Sequence, residues 1–124
     1  MNNRILVIED DPDALRLIEY TLTEEGFQTI SATDGLDGIR KAQDESPDLI
    51  ILDVMLPGLD GYDVCNELRR SPETYIIPIL MVSAKARQED RNIGLKLGAD
   101  DYVAKPADPL VIVDKVRTLL ANVN

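Results

Sequence analysis

The sequence contains no histidine and no tryptophan, a single phenylalanine and a single cysteine. Without histidine, Ser-His-Asp catalysis and histidine-ligated zinc are excluded. The lone Cys65 cannot close an internal disulfide, so a reducing compartment, the cytoplasm, is expected. Positive charge is scarce: 13 Lys and Arg stand against 23 Asp and Glu, for a formal net charge of −10. That balance lacks the basic stripe of a nucleic-acid surface and is repelled by anionic lipid, so neither partner is expected. It suits binding of cations or basic protein surfaces, or simple solubility. No apolar run approaches the roughly 20 residues of a membrane span. The first such run, Ile5 to Ile8, is too short for a leader peptide, and acids follow it directly.

What is present is enough for one domain. A chain of 124 residues buries roughly two-thirds of its unfolded surface, and 44% hydrophobic with 29% charged residues is a globular composition. Short runs rich in Ile, Leu and Val recur at even spacing: RILVI (4–8), FQTISA (27–32), DLIILDV (48–54), IIPILMVS (76–83) and DYVAK (101–105). A run such as LIIL is apolar at every position, which marks a strand covered on both faces, as in a parallel sheet. Pro78 removes a ladder donor and is expected at the start of the fourth strand.

Helix signals lie between these runs. Pro12 opens the first, with Leu15, Ile18 and Leu22 on one face and Gly26 at its end. Asp34 caps a second, with Leu36, Ile39 and Ala42 facing inward and Ser46-Pro47 stopping it. Asp60 caps a third, with Val64 and Leu68 a turn apart; a fourth carries Ile93 and Leu97 and meets Gly98. Asp108-Pro109 starts a fifth that runs to about Asn122. Alternation of strand and helix predicts an α/β fold with a doubly wound parallel sheet and helices on both faces.

In such sheets ligands bind beyond the carboxyl ends of the strands. The first strand ends in Glu9-Asp10, the third in Asp53, the fourth in Ser83 and the fifth in Lys105; the second ends in Ala32-Thr33, which offers little. Three carboxylates on one rim repel each other but make a hard oxygen site of the kind Mg²⁺ takes together with phosphate oxygens. A lysine and a hydroxyl opposite would hold those phosphate oxygens. Asp53 would then be free to act as a nucleophile on phosphorus, since aspartates form covalent aspartyl phosphates.

Four blocks, ILVIEDDP, LIILDVMLPGLDG, ILMVSA and GADDYVAKP, resemble in order and spacing the signature blocks of response regulator receiver domains from two-component signalling systems. The resemblance spans the chain and implies a flavodoxin-like sheet of strand order 2-1-3-4-5. It implies that Asp53 is the phosphoacceptor and that Glu9, Asp10 and Asp53 hold Mg²⁺ with the backbone carbonyl of Met55. Ser83 and Lys105 would bind the phosphoryl group, and the Lys105-Pro106 bond would be cis. Tyr102 would swing inward with Ser83; the plainer alternative is a ring packing on helix four. Pro57, Asp60 and Gly61 match the loop after the phosphorylation strand, while Asp11 either shapes the field or caps helix one. Met55 and Lys85, two residues past Asp53 and Ser83, would flank the route of the water that hydrolyses the acyl phosphate and tune that rate. The implied partners are a histidine kinase or a histidine phosphotransfer protein, and the implied role is a signalling switch, not a turnover enzyme.

In many relatives, helix four, strand five and helix five form a dimer face. Arg91, Asp101 and Lys115 stand where its charges are expected, while Val111 replaces an acid common there. Ile112, Val116 and Leu119 form a second apolar stripe on helix five beside Leu110, Val113 and Leu120. Either one wide stripe is buried, or part of it meets a partner. Ala107 stands where a Phe commonly follows the Lys-Pro pair. Cys65 reads as a packing residue of helix three. Two kinds of rival fit less well. A haloacid-dehalogenase-like phosphatase wants an Asp where Met55 stands. A pseudo-receiver would lack one of the acids or the lysine, and a flavin carrier needs a phosphate loop that EDDPD would repel.

Overall fold

The computed structural model describes residues 3–122. Its elements alternate along the chain: β1 (Arg4–Ile8), α1 (Pro12–Glu24), β2 (Gln28–Ala32), α2 (Gly35–Glu45), β3 (Leu49–Leu52), α3 (Gly61–Arg70), β4 (Ile79–Ser83), α4 (Gln88–Leu97), β5 (Asp101–Ala104) and α5 (Pro109–Ala121). The strands form one sheet in the order β2-β1-β3-β4-β5, and every neighbouring pair is parallel.

The uniformly apolar strands are explained by burial on both faces. Successive side chains of a strand point to opposite sides. Leu6, Ile8, Ile50 and Leu52 therefore enter a core under α2, α3 and α4, with Val64, Leu68 and Tyr102. Their neighbours Ile5, Val7, Leu49 and Ile51 enter a second core under α1 and α5, with Ile18, Leu22, Val113 and Val116. Each aliphatic side chain so buried contributes about 1.5–3 kcal/mol. Pro78 lies just before β4 and keeps its carbonyl in the ladder, accepting from the Ile50 N–H at 2.9 Å.

The expected caps are in place. The Asp11, Asp34, Asp60 and Asp108 side chains each accept a backbone N–H in the first turn of α1, α2, α3 and α5. Two expectations are corrected. Leu36 does not face inward but is 70% exposed, because Gly35 and Gly38 take the buried positions of α2 against Val64 and Ile8. On α4, where no face was assigned, Ile93 is exposed and Gly94 meets the Tyr102 ring and Met81. Ile112 and Val116, offered for a partner face with a buried stripe as the alternative, are core residues at 5% and 0% exposure. Together with Val113, and with Leu119 and Leu120 packed partly against them, they close the sheet's second face as one wide stripe. Leu110 and Val111 are the exposed large apolar residues of α5.

Candidate functional site

Sheet register assembles the rim. Ile8 of β1 lies opposite Leu52 of β3, so the residues that follow, Glu9 and Asp53, leave the sheet side by side. Both are pinned by backbone bonds: Asp53 N–H to the Ile8 carbonyl and Glu9 N–H to the Ala32 carbonyl, each 3.0 Å. The Lys105 N–H likewise bonds the Ser83 carbonyl at 2.9 Å, which sets Lys105 at the end of β4. Gly61 lets α3 begin against this loop: a Cβ there would collide with the Asp53 carbonyl and come within 2.5 Å of Val54 Cα. The Lys105-Pro106 bond is cis, as expected.

Four of the five residues expected at the rim, Glu9, Asp10, Asp53 and Lys105, bring their side chains together. Carboxylate oxygens of Glu9, Asp10 and Asp53 all lie within 4.8 Å of one another, with Glu9 and Asp53 buried and Asp10 exposed. The Lys105 ammonium reaches Asp53 Oδ2 at 2.9 Å and also bonds Glu9 Oε1. The Met55 N–H donates to Asp53 Oδ1 at 3.0 Å, and the Asp11 N–H to Glu9 Oε2 at 3.2 Å. Burial raises the Glu9 pKa above the ordinary glutamate range; the Lys105 and Asp11 hydrogen bonds oppose the rise and the Asp53 charge adds to it. Burial opposes the charge on Lys105, yet its bonds to Glu9 and Asp53 outweigh that and hold its pKa above the usual lysine value. A buried acid pair bridged by one lysine, with a third acid at the mouth, leaves excess negative charge. Its donor set is entirely hard oxygen, so the residues fit Mg²⁺.

Ser83 is fully buried, and its Oγ accepts from the Lys85 N–H at 3.2 Å. It does not cap α4, where Arg87 takes that place. Tyr102 is turned inward at 1% exposure, and its hydroxyl donates to the Lys85 carbonyl at 2.5 Å. Sequence reasoning does not single out Tyr62, the first aromatic after Asp60-Gly61. Its hydroxyl donates to the Asp90 carbonyl at 3.1 Å, and the Lys85 ammonium lies 5.8 Å from its ring centroid. Burial, reinforced by the Tyr102 hydroxyl, raises its pKa. An aromatic in the first turn after the phosphorylation-loop glycine was the available signal, but its partners come from α4 and the β4–α4 loop.

The charged residues of the expected partner face are engaged within the chain. Lys115 pairs with Asp101 at 3.0 Å, and Arg91 donates to the Tyr102 carbonyl at 3.0 Å with its guanidinium over that ring. An open pocket of about 370 Å³ beside Ala107 is lined by Leu17, Ile18, Val82, Lys105 and Ile112 among others. Cys65 is buried in α3, and desolvation pushes its thiol pKa up to about 11.

A buried carboxylate held by a lysine and a loop amide, beside two further acids at the carboxyl edge of a 2-1-3-4-5 sheet, has a counterpart among known families. The model of the response regulator receiver domain matches residues 5–117. The chain belongs to this family. As a receiver domain it is 45% identical over 120 residues to the alkaline phosphatase synthesis transcriptional regulatory protein PhoP of Bacillus subtilis, a match covering 97% of this chain and 49% of that protein. It is 44% identical over 117 residues to the probable transcriptional regulator ycf27 of Cyanophora paradoxa, covering 94% of this chain and 48% of that one. The receiver domain thus spans about half the length of the curated relatives it matches. Among solved structures it is similar to the receiver domain of the sensor histidine kinase PA1611 from Pseudomonas aeruginosa, at TM-score 0.91 and 31% identity over 98% of this chain and 100% of that one. That protein has a magnesium ion coordinated in its active site cleft.

Proposed function

We propose that this receiver domain takes a phosphoryl group from a phosphohistidine, on a histidine kinase or a histidine phosphotransfer protein, onto the Asp53 carboxylate. The observation that carries the reading is the hold on Asp53: Met55 N–H on Oδ1 at 3.0 Å and Lys105 on Oδ2 at 2.9 Å, beside Glu9 and Asp10. An Asp53 oxygen bonds phosphorus in line with the breaking phosphorus–nitrogen bond, and the imidazole leaves with the electron pair. Lys105 follows the charge from the carboxylate to a phosphoryl oxygen, and the Ser83 hydroxyl donates to another. Glu9, Asp10 and Asp53, with the Met55 backbone carbonyl, are the groups that would hold Mg²⁺. When bound, the ion neutralises the rim and the incoming phosphate oxygens.

The phosphoryl group adds about −2 charge to the rim and draws Ser83 and Lys105 inward. Tyr102, already inward and bonded to the Lys85 carbonyl, would carry that change to the face of α4, β5 and α5, where Arg91, Asp101 and Lys115 would exchange their partners within the chain for a second copy. The domain then acts in the cytoplasm through protein partners and not by touching nucleic acid itself. Incubation with acetyl phosphate and Mg²⁺, read by intact mass, tests the reading. One phosphoryl group is expected on the wild type and none on Asp53→Asn; labelling of both, or of neither, overturns it.

A further inference from the structure

We infer that Tyr62 is a positioning residue that sets the lifetime of the Asp53 acyl phosphate by holding the Lys85 ammonium on its ring. This rests on the reading of Asp53 as phosphoacceptor. Backbone bonds fix Lys85 at both ends of the residue, its N–H to Ser83 Oγ at 3.2 Å and its carbonyl from the Tyr102 hydroxyl at 2.5 Å. Its exposed side chain alone is free to choose a partner. Among the described residues no carboxylate pairs with its ammonium, although the rim is rich in acids. The charge lies instead over the face of Tyr62, 5.8 Å from the ring centroid.

That ring is firmly placed. It follows Gly61, whose N–H bonds the Val54 carbonyl at 2.8 Å, and its own hydroxyl is tied to the Asp90 carbonyl at 3.1 Å. The ammonium can leave a π face readily, and a dianionic phosphoryl group on Asp53 competes for it. Hydrolysis needs a water oxygen to bond phosphorus while the bond to the Asp53 oxygen breaks. The products are the carboxylate and inorganic phosphate, and the water supplies the proton. A Lys85 side chain drawn onto the phosphoryl group lies across the route of that water. The Tyr62 ring, by keeping Lys85 back, leaves the route open and shortens the lifetime.

The test is loss of the acyl phosphate after acetyl phosphate is removed, followed by intact mass in Mg²⁺. Tyr62→Leu is expected to lengthen the half-life about two- to fivefold, the worth of an exposed cation–π contact. Tyr62→Phe keeps the ring face, loses the hydroxyl's bond to Asp90 and its contact with the Tyr102 hydroxyl, and should match the wild type. In a Lys85→Gln background Tyr62→Leu should have no effect. Lys85→Gln alone, which leaves the packing of α3 untouched, should shorten the half-life. An unchanged half-life in Tyr62→Leu overturns the inference, as does an effect that survives Lys85→Gln, a Tyr62→Phe that behaves like Tyr62→Leu, or no shortening in Lys85→Gln alone. Absence of any label on the wild type would overturn the phosphoacceptor reading itself, and is seen before any lifetime is measured.

Discussion

Lys105 Nζ lies 2.9 Å from Asp53 Oδ2 although the two residues are 52 positions apart, and the same ammonium bonds Glu9. One cation thus holds two buried carboxylates that would otherwise face each other unpaired.

Lys105→Met keeps the apolar stem and removes that charge. The partly exposed site should lose about 1–3 kcal/mol of stability, measured by urea unfolding at neutral pH. Millimolar Mg²⁺ should recover part of the loss. Equal stability of the two proteins without metal would show that the pairing does not matter.

Asp10 is the exposed member of the acid cluster. Mg²⁺ should raise the melting temperature of the wild type by relieving carboxylate repulsion. Asp10→Asn should melt higher than the wild type without metal and respond less to it. Identical melting of both proteins with and without Mg²⁺ would argue against the site.

Gly61→Ala forces a methyl group into the Asp53–Val54 backbone. Backbone cannot swing aside as a side chain can, so a cost of about 1–3 kcal/mol is expected, with slower labelling by acetyl phosphate. Wild-type stability and labelling in this variant would refute the close packing.

Desolvation raises the Cys65 thiol from 9.0 to about 11. The unfolded thiol ionises first, so the folded state binds more protons between those values and stability falls as pH rises through that window. Below pH 9 the contribution is fully present. From pH 9 to 11 the wild type should lose roughly 1–3 kcal/mol more than Cys65→Ala, read from urea midpoints. Parallel profiles for the two proteins would contradict the shift.

Ala107→Phe should occupy part of the pocket of about 370 Å³ beside Lys105. A gain of about 0.5–2 kcal/mol is expected, since the new ring is removed from water against Leu17, Ile18 and Ile112. A lower melting temperature would mean that the cavity walls do not admit the ring.

The alternation of strand and helix, the caps at Asp11, Asp34, Asp60 and Asp108, and the rim of Glu9, Asp10, Asp53, Ser83 and Lys105 were legible because each rests on local chemistry. Apolar runs, capping carboxylates and strand-end polar groups are written in consecutive residues. Leu36 was misread because helical spacing names a face but not what packs on it. Glycines at 35, 38 and 94 let Val64, Ile8 and Tyr102 approach, and the larger neighbours turned outward. Ile112 and Val116 went to the core for a related reason: a helix lying flat across several strands buries a stripe wider than a two-helix seam.

The sequence by itself determined which residues form strands and helices and which polar groups stand at the strand ends, because those follow from hydrophobic period and neighbouring turn chemistry. Only the tertiary structure decided that Lys105 bridges Glu9 and Asp53, that Tyr102 lies inward on the Lys85 carbonyl, and that Tyr62 holds the Lys85 charge. Such pairings join elements distant in the chain, and their distances are set by sheet register and helix packing, which no local run of residues encodes.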